Sequence, residues 1–262
     1  MAWRRLAFAC LFSLSLLPLS AQGAKVLISS DPDYPPISWR DPEHPDRIIG
    51  VAIELVEMAF KELNIPVESR YVGPWRRTLY DAQAGKIDVV AGVYINEERK
   101  TYMEFVQPSV MDDPTVVFVM KGRGFPFEGW QDLIGRLGGA RIGDSFGEEV
   151  DRRLQENLTI EWVPSFEMLY RKVEGERNQY FVYGLYPGMD AAEKMGIRSK
   201  LEHLKTPLVT EGIYIAISKK SPFLRYRDIL GQKLHDYVER KVPDLLVEKY
   251  LKISKSQKPI PK

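Results

Sequence analysis

The chain has 262 residues, with 37 Lys and Arg against 36 Asp and Glu and a formal net charge of +1. This balance, without a basic stripe, argues against a nucleic-acid partner, since phosphates bind to clustered positive charge. The three histidines, His44, His203 and His235, lie far apart without ligand spacing. We therefore expect no metal site and no cofactor.

The first 23 residues are predicted to form an export signal. Arg4 and Arg5 supply the basic start, residues 6–19 the apolar centre, and residues 20–24 a region of mostly small side chains for cleavage. The alternative is a membrane anchor, but the apolar run of about 14 residues is shorter than the ~20 that a spanning helix needs. The segment is therefore excluded from the fold.

Cys10 is the only cysteine of the chain and lies inside this apolar centre. The preceding Ala7, Phe8 and Ala9 make a poor lipidation site. We therefore expect a soluble periplasmic protein with neither a lipid anchor on this cysteine nor a disulfide.

From residue 25 onward, short apolar runs alternate with helical patterns, as a parallel α/β sheet requires. The predicted strands are residues 26–29, 67–71, 87–91, 140–142, 160–163 and 180–183. The predicted helices are residues 51–63, 130–136, 148–156, 165–173, 189–195, 223–240 and 243–250. The last residues, 252–262, are polar and contain proline, which predicts disorder.

Residues 73–108 combine a predicted amphipathic helix, the buried strand at residues 87–91 and a polar turn that opens a short helix at Asn96. Arg99 falls in the first turn of that helix. An arginine there can point its planar guanidinium into a crevice and bind a small acid through two parallel hydrogen bonds. The alternative is a solvated arginine within the charged run of residues 97–100.

Two further apolar runs, residues 115–120 and 212–218, bracket an inserted α/β block. This pattern predicts two lobes joined by two crossovers. We expect a discontinuous first lobe, residues 24–115 and 216–262, and a second lobe of residues 116–215. The carboxyl ends of strands from both lobes would then face a ligand cleft.

Three segments of the sequence resemble motifs of a known family. They are DPDYPPI at residues 31–37, GVAIEL at residues 50–55, and AGKID at residues 84–88 followed by AGVYINEER at residues 91–99. In order and spacing they resemble the family 3 extracellular solute-binding proteins, the bilobed receptors that deliver amino acids and similar polar solutes to ABC importers. The resemblance is specific through Pro108 and looser beyond it.

The resemblance implies a two-lobe α/β fold of the type II periplasmic-binding-protein class, with two crossover hinge segments. It also implies a monomeric, non-enzymatic protein that captures a small carboxylate-bearing solute, an amino acid or a related compound, and presents it to the permease subunits of an ABC importer. Two alternatives stay open. One is an enzyme on the same scaffold, similar to cyclohexadienyl dehydratases, with Glu54, Asp144 and Glu148 as candidate acids; the other is a periplasmic sensor.

In the first lobe the resemblance implies four ligand-binding residues. Tyr34 would form a wall of the pocket, or plug the gap between loop and core. Asp31 would meet a cationic group, or cap a turn. Trp75 would offer a flat apolar face to the ligand, or pack between the lobes. Arg77 resembles an arginine that is frequent in one branch of the family.

Gly92, Tyr94 and Arg99 occupy family positions that contact the ammonium and carboxylate groups of an amino acid. The resemblance makes Arg99 the principal anion contact. Tyr94 stands where the family has a threonine, and its bulk puts the ordinary amino-acid pose in doubt.

In the second lobe, residues 143–149 follow a strand and open a helix. The free backbone NH groups of such a helix start, around Ser145 and Phe146, would favour a ligand carboxylate. The acidic residues of the same loop would instead favour a positive group, and simple turn chemistry also explains the sequence.

The stretch 175–184 departs from the family pattern. Gln179 replaces one acid, and Tyr183 and Gly184 lie near the position of the acid that holds the ligand's ammonium group. Tyr183 would enclose a cation or stack on a flat ligand, or it is a core residue of its strand.

Overall fold

The computed structural model describes residues 25–257, so the predicted export signal, Cys10 and the last five residues lie outside the described part. The strands are β1 (Val26–Ser29), β2 (Asp33–Tyr34), β3 (Ser38–Arg40), β4 (Ile48–Ile49), β5 (Val67–Ser69), β6 (Val89–Val93), β7 (Met103–Met120), β8 (Leu137–Arg141), β9 (Thr159–Val163), β10 (Phe181–Gly184), β11 (Leu201–His203) and β12 (Val209–Ser218). The α-helices are α1 (Val51–Glu62), α2 (Trp75–Gln83), α3 (Glu97–Lys100), α4 (Glu148–Glu156), α5 (Phe166–Glu174), α6 (Leu185–Lys194), α7 (Arg227–Glu239) and α8 (Val242–Ser256).

The first lobe is built on a parallel core. Strand β1 pairs in parallel with β5 on one side and β6 on the other. All five residues of β6 are buried, which is typical of a strand covered by helices on both faces. Helix α1 packs one apolar face against this sheet, with buried residues at helical spacing: Val51, Ala52, Ile53, Leu55, Val56, Ala59 and Phe60.

Two long antiparallel strands, β7 and β12, carry the chain between the lobes. The start of β7 pairs with the end of β12, which in turn pairs with β6. The end of β7 pairs with β10 and β11. The chain therefore has two crossovers, and we propose that the boundaries between the two lobes lie at residues 115/116 and 215/216.

The β7–β12 ladder is interrupted between Ile213 and Ile215. Residues 107–110 of β7 and Tyr214 of β12 have no partner across this ladder. An interruption of this kind is a β-bulge, which bends a strand locally. It lies within the crossovers.

The second lobe holds β8 and β9, which pair in parallel. Backbone hydrogen bonds attach β8 to the start of β10, from Gly139 N to the Tyr180 carbonyl at 3.0 Å and from Gln179 N to the Leu137 carbonyl at 2.8 Å. Helices α4 and α5 pack on these strands. The loop after β8 reaches the first lobe, where the Gly143 carbonyl accepts hydrogen bonds from Trp75 and Arg99.

Several sequence-based predictions need correction. The main sheet is mixed rather than parallel, because the crossover strands run antiparallel to their neighbours. The predicted helix at residues 130–136 is only a short 3-10 helix, Trp130–Leu133, because Ile134 is extended and Gly135 has φ +79°. The run at residues 115–120 is the end of β7, which begins at Met103.

Other corrections concern helix ends and short strands. Helix α6 begins at Leu185 rather than at residue 189, since Pro187 lies in its first turn, where proline is tolerated. Residues 252–256 belong to α8 rather than to a disordered tail, and Leu246, Tyr250 and Ser254 are buried at helical spacing. Strands β2, β3, β4 and β11 were not predicted. No helix between residues 25 and 257 is long and apolar enough to cross a membrane.

Gly50 fixes the start of α1. Its φ is +139°, and a Cβ atom at this position would lie 2.3 Å from the carbonyl oxygen of Ile37. That oxygen accepts a hydrogen bond from the backbone NH of Ala52 at 3.1 Å. Only glycine permits this close approach of the loop to α1.

Candidate functional site

A cavity lies between the lobes, at the carboxyl ends of β1 and β6 and beside the loop after β8. Its volume is about 20 Å³, roughly enough for one water molecule, so the two lobes are nearly in contact. It is lined by Asp31, Tyr34, Trp75, Gly92, Val93, Tyr94, Arg99, Asp144, Ser145, Phe146 and Ile213. Of the ten predicted ligand-binding residues, all but Arg77 and Tyr183 line it.

Arg99 is held at the cavity by a capped turn. The side-chain oxygen of Asn96 accepts a hydrogen bond from the backbone NH of Arg99 at 2.8 Å and so caps α3. The Arg99 side chain is buried, with the residue only 3% exposed. Its guanidinium donates to the carbonyl oxygens of Tyr94 at 2.9 Å and Gly143 at 3.0 Å.

The charge of Arg99 has no ion-pair partner among residues 25–257, because both of its guanidinium hydrogen bonds end on neutral carbonyls. Burial lowers the pKa of this guanidinium. A buried cation without an adjacent anion is costly. Arg99 is therefore a buried charge without a salt-bridge partner among residues 25–257, with the carboxylates of Asp151 and Asp144 acting on its pKa from farther away.

Trp75 lies against Arg99 and reaches the other lobe. Its indole Nε1 donates to the Gly143 carbonyl at 2.9 Å, and its ring centre is 5.6 Å from the guanidinium carbon of Arg99. A single carbonyl of the second lobe thus accepts hydrogen bonds from two first-lobe side chains. Trp75 therefore packs between the lobes and lines the cavity, and its contact with a ligand stays a prediction.

Tyr94 and Tyr34 form the floor of the cavity near the crossover. The Tyr94 hydroxyl donates to Asp113 Oδ2 at 2.8 Å. Burial raises the pKa values of both tyrosines well above the ordinary range, so both hydroxyls stay protonated. Burial also raises the pKa of Asp113 to about 6, although the hydrogen bond from Tyr94 opposes this shift.

Replacing Asp113 by asparagine is expected to stabilise the protein above the pKa of this carboxyl. The pKa of Asp113 is higher in the folded state than in the unfolded chain, so the folded protein keeps this proton to a higher pH. The contribution of Asp113 to the free energy of unfolding therefore falls between about pH 4 and pH 6 and is constant above. A shift of about two units corresponds to about 3 kcal/mol, an upper limit on the gain. Thermal melts at mildly acidic and mildly basic pH measure it.

Asp112 is the control for this prediction, since it is the exposed neighbour on the same strand. Asp112→Asn should leave the pH dependence of the melting temperature unchanged. An Asp113→Asn variant that melts in parallel with the wild type at every pH would contradict the burial argument.

Gly92 lies at the end of β6 with φ +85°. A Cβ atom here would lie 2.6 Å from Cγ2 of Ile37. The absence of a side chain brings the loop carrying Ile37 close to β6. Gly92 thereby leaves the backbone of β6 accessible to the cavity.

The largest electrostatic feature of the cleft is an ion-pair cluster of Asp31, Arg141 and Asp144. The guanidinium of Arg141 donates from Nη2 to Asp31 Oδ2 and from Nε to Asp144 Oδ1 at 2.9 Å. Asp31 also accepts a hydrogen bond from the backbone NH of Asp33 at 2.9 Å. Asp31 therefore caps a turn and meets a cation, and the cation belongs to the chain itself.

The charges of this cluster are strongly coupled. Burial acts to lower the pKa of Arg141, but the carboxylates of Asp144 and Asp31 raise it well above its usual range. Burial raises the pKa of Asp144 to about 6, with Arg141 opposing the shift. Asp144 Oδ2 is buried and has no hydrogen-bond partner within the described part of the chain.

Ser145 and Phe146 line the cavity, but an acid in the first turn of α4 occupies their donor groups. The carboxylate of Asp151 accepts hydrogen bonds from the Ser145 hydroxyl and, at 2.7 Å, from the backbone NH of Phe146. The Ser145 hydroxyl also accepts from the Asn96 side-chain amide at 3.2 Å. Turn chemistry therefore accounts for this helix start.

Arg77 and Tyr183 do not line the cavity. The Arg77 side chain is about half exposed and pairs with Asp81 at 2.8 Å. Tyr183 is a core residue of β10, with its ring centre 5.3 Å from that of Phe166 and 6.0 Å from that of Tyr34.

Sequence reasoning missed Arg141 and Asp113. The signal for Arg141 was a charged residue inside a predicted buried strand, which requires an internal partner. For Asp113 it was an acid next to the first crossover. No cluster of His, Cys, Asp and Glu suited to a metal ion occurs among residues 25–257.

Comparison with solved structures gives the same fold. ArgBP from T. maritima, in its P235GK mutant, is 20% identical to this chain. The match covers 87% of this chain and 95% of ArgBP, with a TM-score of 0.70. The amino acid ABC transporter substrate-binding protein AbpA from Streptococcus pneumoniae, bound to L-arginine, is 20% identical and covers 91% and 97%, with a TM-score of 0.70. A histidine kinase sensor domain with similarity to periplasmic binding proteins is 19% identical and covers 87% and 96%, with a TM-score of 0.71.

The fold is therefore the two-lobe α/β fold of type II periplasmic binding proteins, with a discontinuous first lobe and two crossovers. The family model of bacterial extracellular solute-binding proteins, family 3, matches residues 26–253. The chain belongs to this family, whose proteins are extracellular. No curated protein matches it by sequence.

Proposed function

We propose that this protein is a periplasmic solute-binding protein that captures a small carboxylate-bearing solute, an amino acid or a related compound, for an ABC importer. The observation that carries the proposal is the buried guanidinium of Arg99. Two of its donors meet neutral carbonyls, and a guanidinium has five. A ligand carboxylate would supply the missing counter-charge.

The surroundings of Arg99 support an anion of modest size. Trp75 and Tyr94 line the same cavity and are buried. Exclusion of water from such a site strengthens a charge-assisted hydrogen bond. Tyr94 occupies volume that a threonine would leave open, so the solute need not adopt the usual pose of an α-amino acid.

Closure of the lobes is the proposed mechanism of capture. Arg99 and Trp75 contact Gly143, and Asp31 contacts Arg141; each pair joins the two proposed lobes. A solute that touches both lobes binds the closed form better than the open form, and it shifts the population toward closure by that difference. The closed form is what the permease subunits would recognise.

The export route is part of the same proposal. We expect a monomeric mature protein that begins near Gln22 to Ala24, because residues 1–23 have the pattern of a cleaved signal. Mass spectrometry of the exported protein should give a mass without these residues. Retention of Met1, or a fatty acid on Cys10, would contradict this prediction.

A thermal-shift panel tests the proposed class of solute. Amino acids, opines and small organic acids are compared with polyamines, which carry no carboxylate. A ligand at 100 times its dissociation constant adds about 2.7 kcal/mol, a measurable rise in melting temperature. Stabilisation by polyamines alone, with no response to any carboxylate, would refute the proposal.

An enzyme on the same scaffold is the second candidate, and one observation favours it. Of the three candidate acids, Asp144 lines the cavity and has a raised pKa, whereas Glu54 pairs with Lys249 and Glu148 accepts a hydrogen bond from the Glu97 backbone NH. Product formation from cyclohexadienyl acids that is lost in Asp144→Asn would support it. The neighbouring genes would distinguish a sensor from a component of an importer, since adjacent permease and ATPase genes favour import.

A further inference from the structure

The cluster of Asp31, Arg141 and Asp144 places a cation of the chain between two carboxylates that line the cavity. Asp31 and Arg141 are each 4% exposed. Arg141 Nη2 donates to both carboxylates, at 2.7 Å to Asp144 Oδ1, and Nη1 donates to Asp31 Oδ1 at 3.3 Å. The guanidinium carbon also lies 5.4 Å from the ring centre of Tyr183.

These contacts use nearly all the acceptors that a cationic ligand group would need. Asp31 Oδ1 accepts from the Asp33 backbone NH as well as from Arg141, and Asp31 Oδ2 accepts from Arg141. Asp144 Oδ1 accepts twice from Arg141. Of the four carboxylate oxygens of Asp31 and Asp144, Asp144 Oδ2 is the one without a hydrogen-bond partner among residues 25–257.

We propose that Arg141 is a specificity-determining residue, because its guanidinium already pairs with the two cavity carboxylates, Asp31 and Asp144, that a cationic ligand group would contact. The protein therefore selects solutes without a cationic side chain. The selectivity for solutes rests on the proposed function. The placement of the Arg141 guanidinium between the two carboxylates does not. The free oxygen of Asp144 then accepts one N–H or O–H of the solute.

The physical basis is the cost of displacing Arg141. A ligand cation that took Asp31 would leave the Arg141 guanidinium buried with a single carboxylate partner, and an incompletely paired buried charge is strongly unfavourable. Removing the Arg141 side chain should allow a cationic group to bind, since it leaves two buried carboxylates and an empty volume between them.

The test uses Arg141→Ala with methylguanidinium as the probe. Millimolar methylguanidinium should raise the melting temperature of Arg141→Ala and leave that of the wild type unchanged. The matched control is Arg152→Ala, because Arg152 is about half exposed and its ion pair, with Glu156, lies at the surface. A folded Arg141→Ala variant that gives no response to methylguanidinium would overturn the inference.

A second measurement needs no variant. L-arginine and L-citrulline have side chains of similar shape, and only arginine is cationic. Calorimetry on the wild type should give no arginine binding, or binding at least about tenfold weaker than that of citrulline, a difference of 1.4 kcal/mol. A wild type that prefers arginine would refute the inference even if Arg141→Ala does not fold.

The two proposals fail separately. Methylguanidinium has no carboxylate, so its effect on Arg141→Ala does not depend on Arg99. If no carboxylate stabilises the wild type but methylguanidinium stabilises Arg141→Ala, the proposed function is wrong and the position of the cation stands. The reverse result leaves the proposed function and removes the role of Arg141.

Discussion

Replacing Arg99 by alanine is expected to weaken binding of the carboxylate-bearing solute by about thirty-fold or more. Loss of a charge-assisted bond in a desolvated pair typically costs 2 to 5 kcal/mol. Arg99 is buried and lines the cavity, and its two guanidinium hydrogen bonds end on neutral carbonyls. Titration calorimetry with whichever carboxylate stabilises the wild type measures the effect.

Lys100 is the matched control, because it is the next cation along the same helix. Its side chain is half exposed and pairs with Glu97 at 2.6 Å on the surface. Exposed ion pairs contribute about 0 to 1 kcal/mol, so Lys100→Ala should leave the affinity nearly unchanged. Equal losses in the two variants would mean that Arg99 acts through net charge rather than through contact.

Replacing Gly50 by alanine is expected to lower the stability of the folded protein by about 3 to 5 kcal/mol. The added Cβ would lie 2.3 Å from the Ile37 carbonyl oxygen and 2.7 Å from Ser38 Cα. Both are backbone atoms, so neither can rotate aside. Moving them would break the hydrogen bond from Ala52 that joins this loop to α1, and the melting temperature should fall by about 10 °C.

Gly122 is the comparison for a positive-φ glycine without a close neighbour. It also has a positive φ, +80°, but a Cβ atom there meets nothing within 4 Å. Gly122→Ala should therefore cost only the backbone strain, about 1 kcal/mol. If both variants melt at the same temperature, the close approach of Ile37 does not contribute to stability.

Sequence patterns were sufficient where the determinants are local. Helix α4 has the predicted bounds, residues 148–156, because its acidic start and amphipathic spacing lie within the segment. The turn at Asn96 also follows from neighbouring residues, since the side chain caps its own helix. The placement of Arg99 beside the cavity could therefore be predicted once the strand before it was recognised.

Long-range contacts decided the rest. Arg141 meets Asp31 across 110 positions of sequence, and no local pattern indicates which of many acids becomes its partner. The end of α8 is similar, because Ser254 bonds to Asp190 and Lys194 of α6. A polar, lysine-rich segment that would be disordered alone becomes helical against this second surface.

The bulge between Ile213 and Ile215 has a consequence for opening of the cleft. Ladder hydrogen bonds resist bending, so a paired ribbon is stiff along its length. Between β7 and β12 that restraint is absent at Tyr214 and at residues 107–110. The β7–β12 pairs resume on either side, and Tyr214 itself pairs with Val93 of β6. We infer that the β7–β12 ribbon bends at this point when the lobes separate, while the pair of Tyr214 with Val93 in the first lobe's sheet is retained.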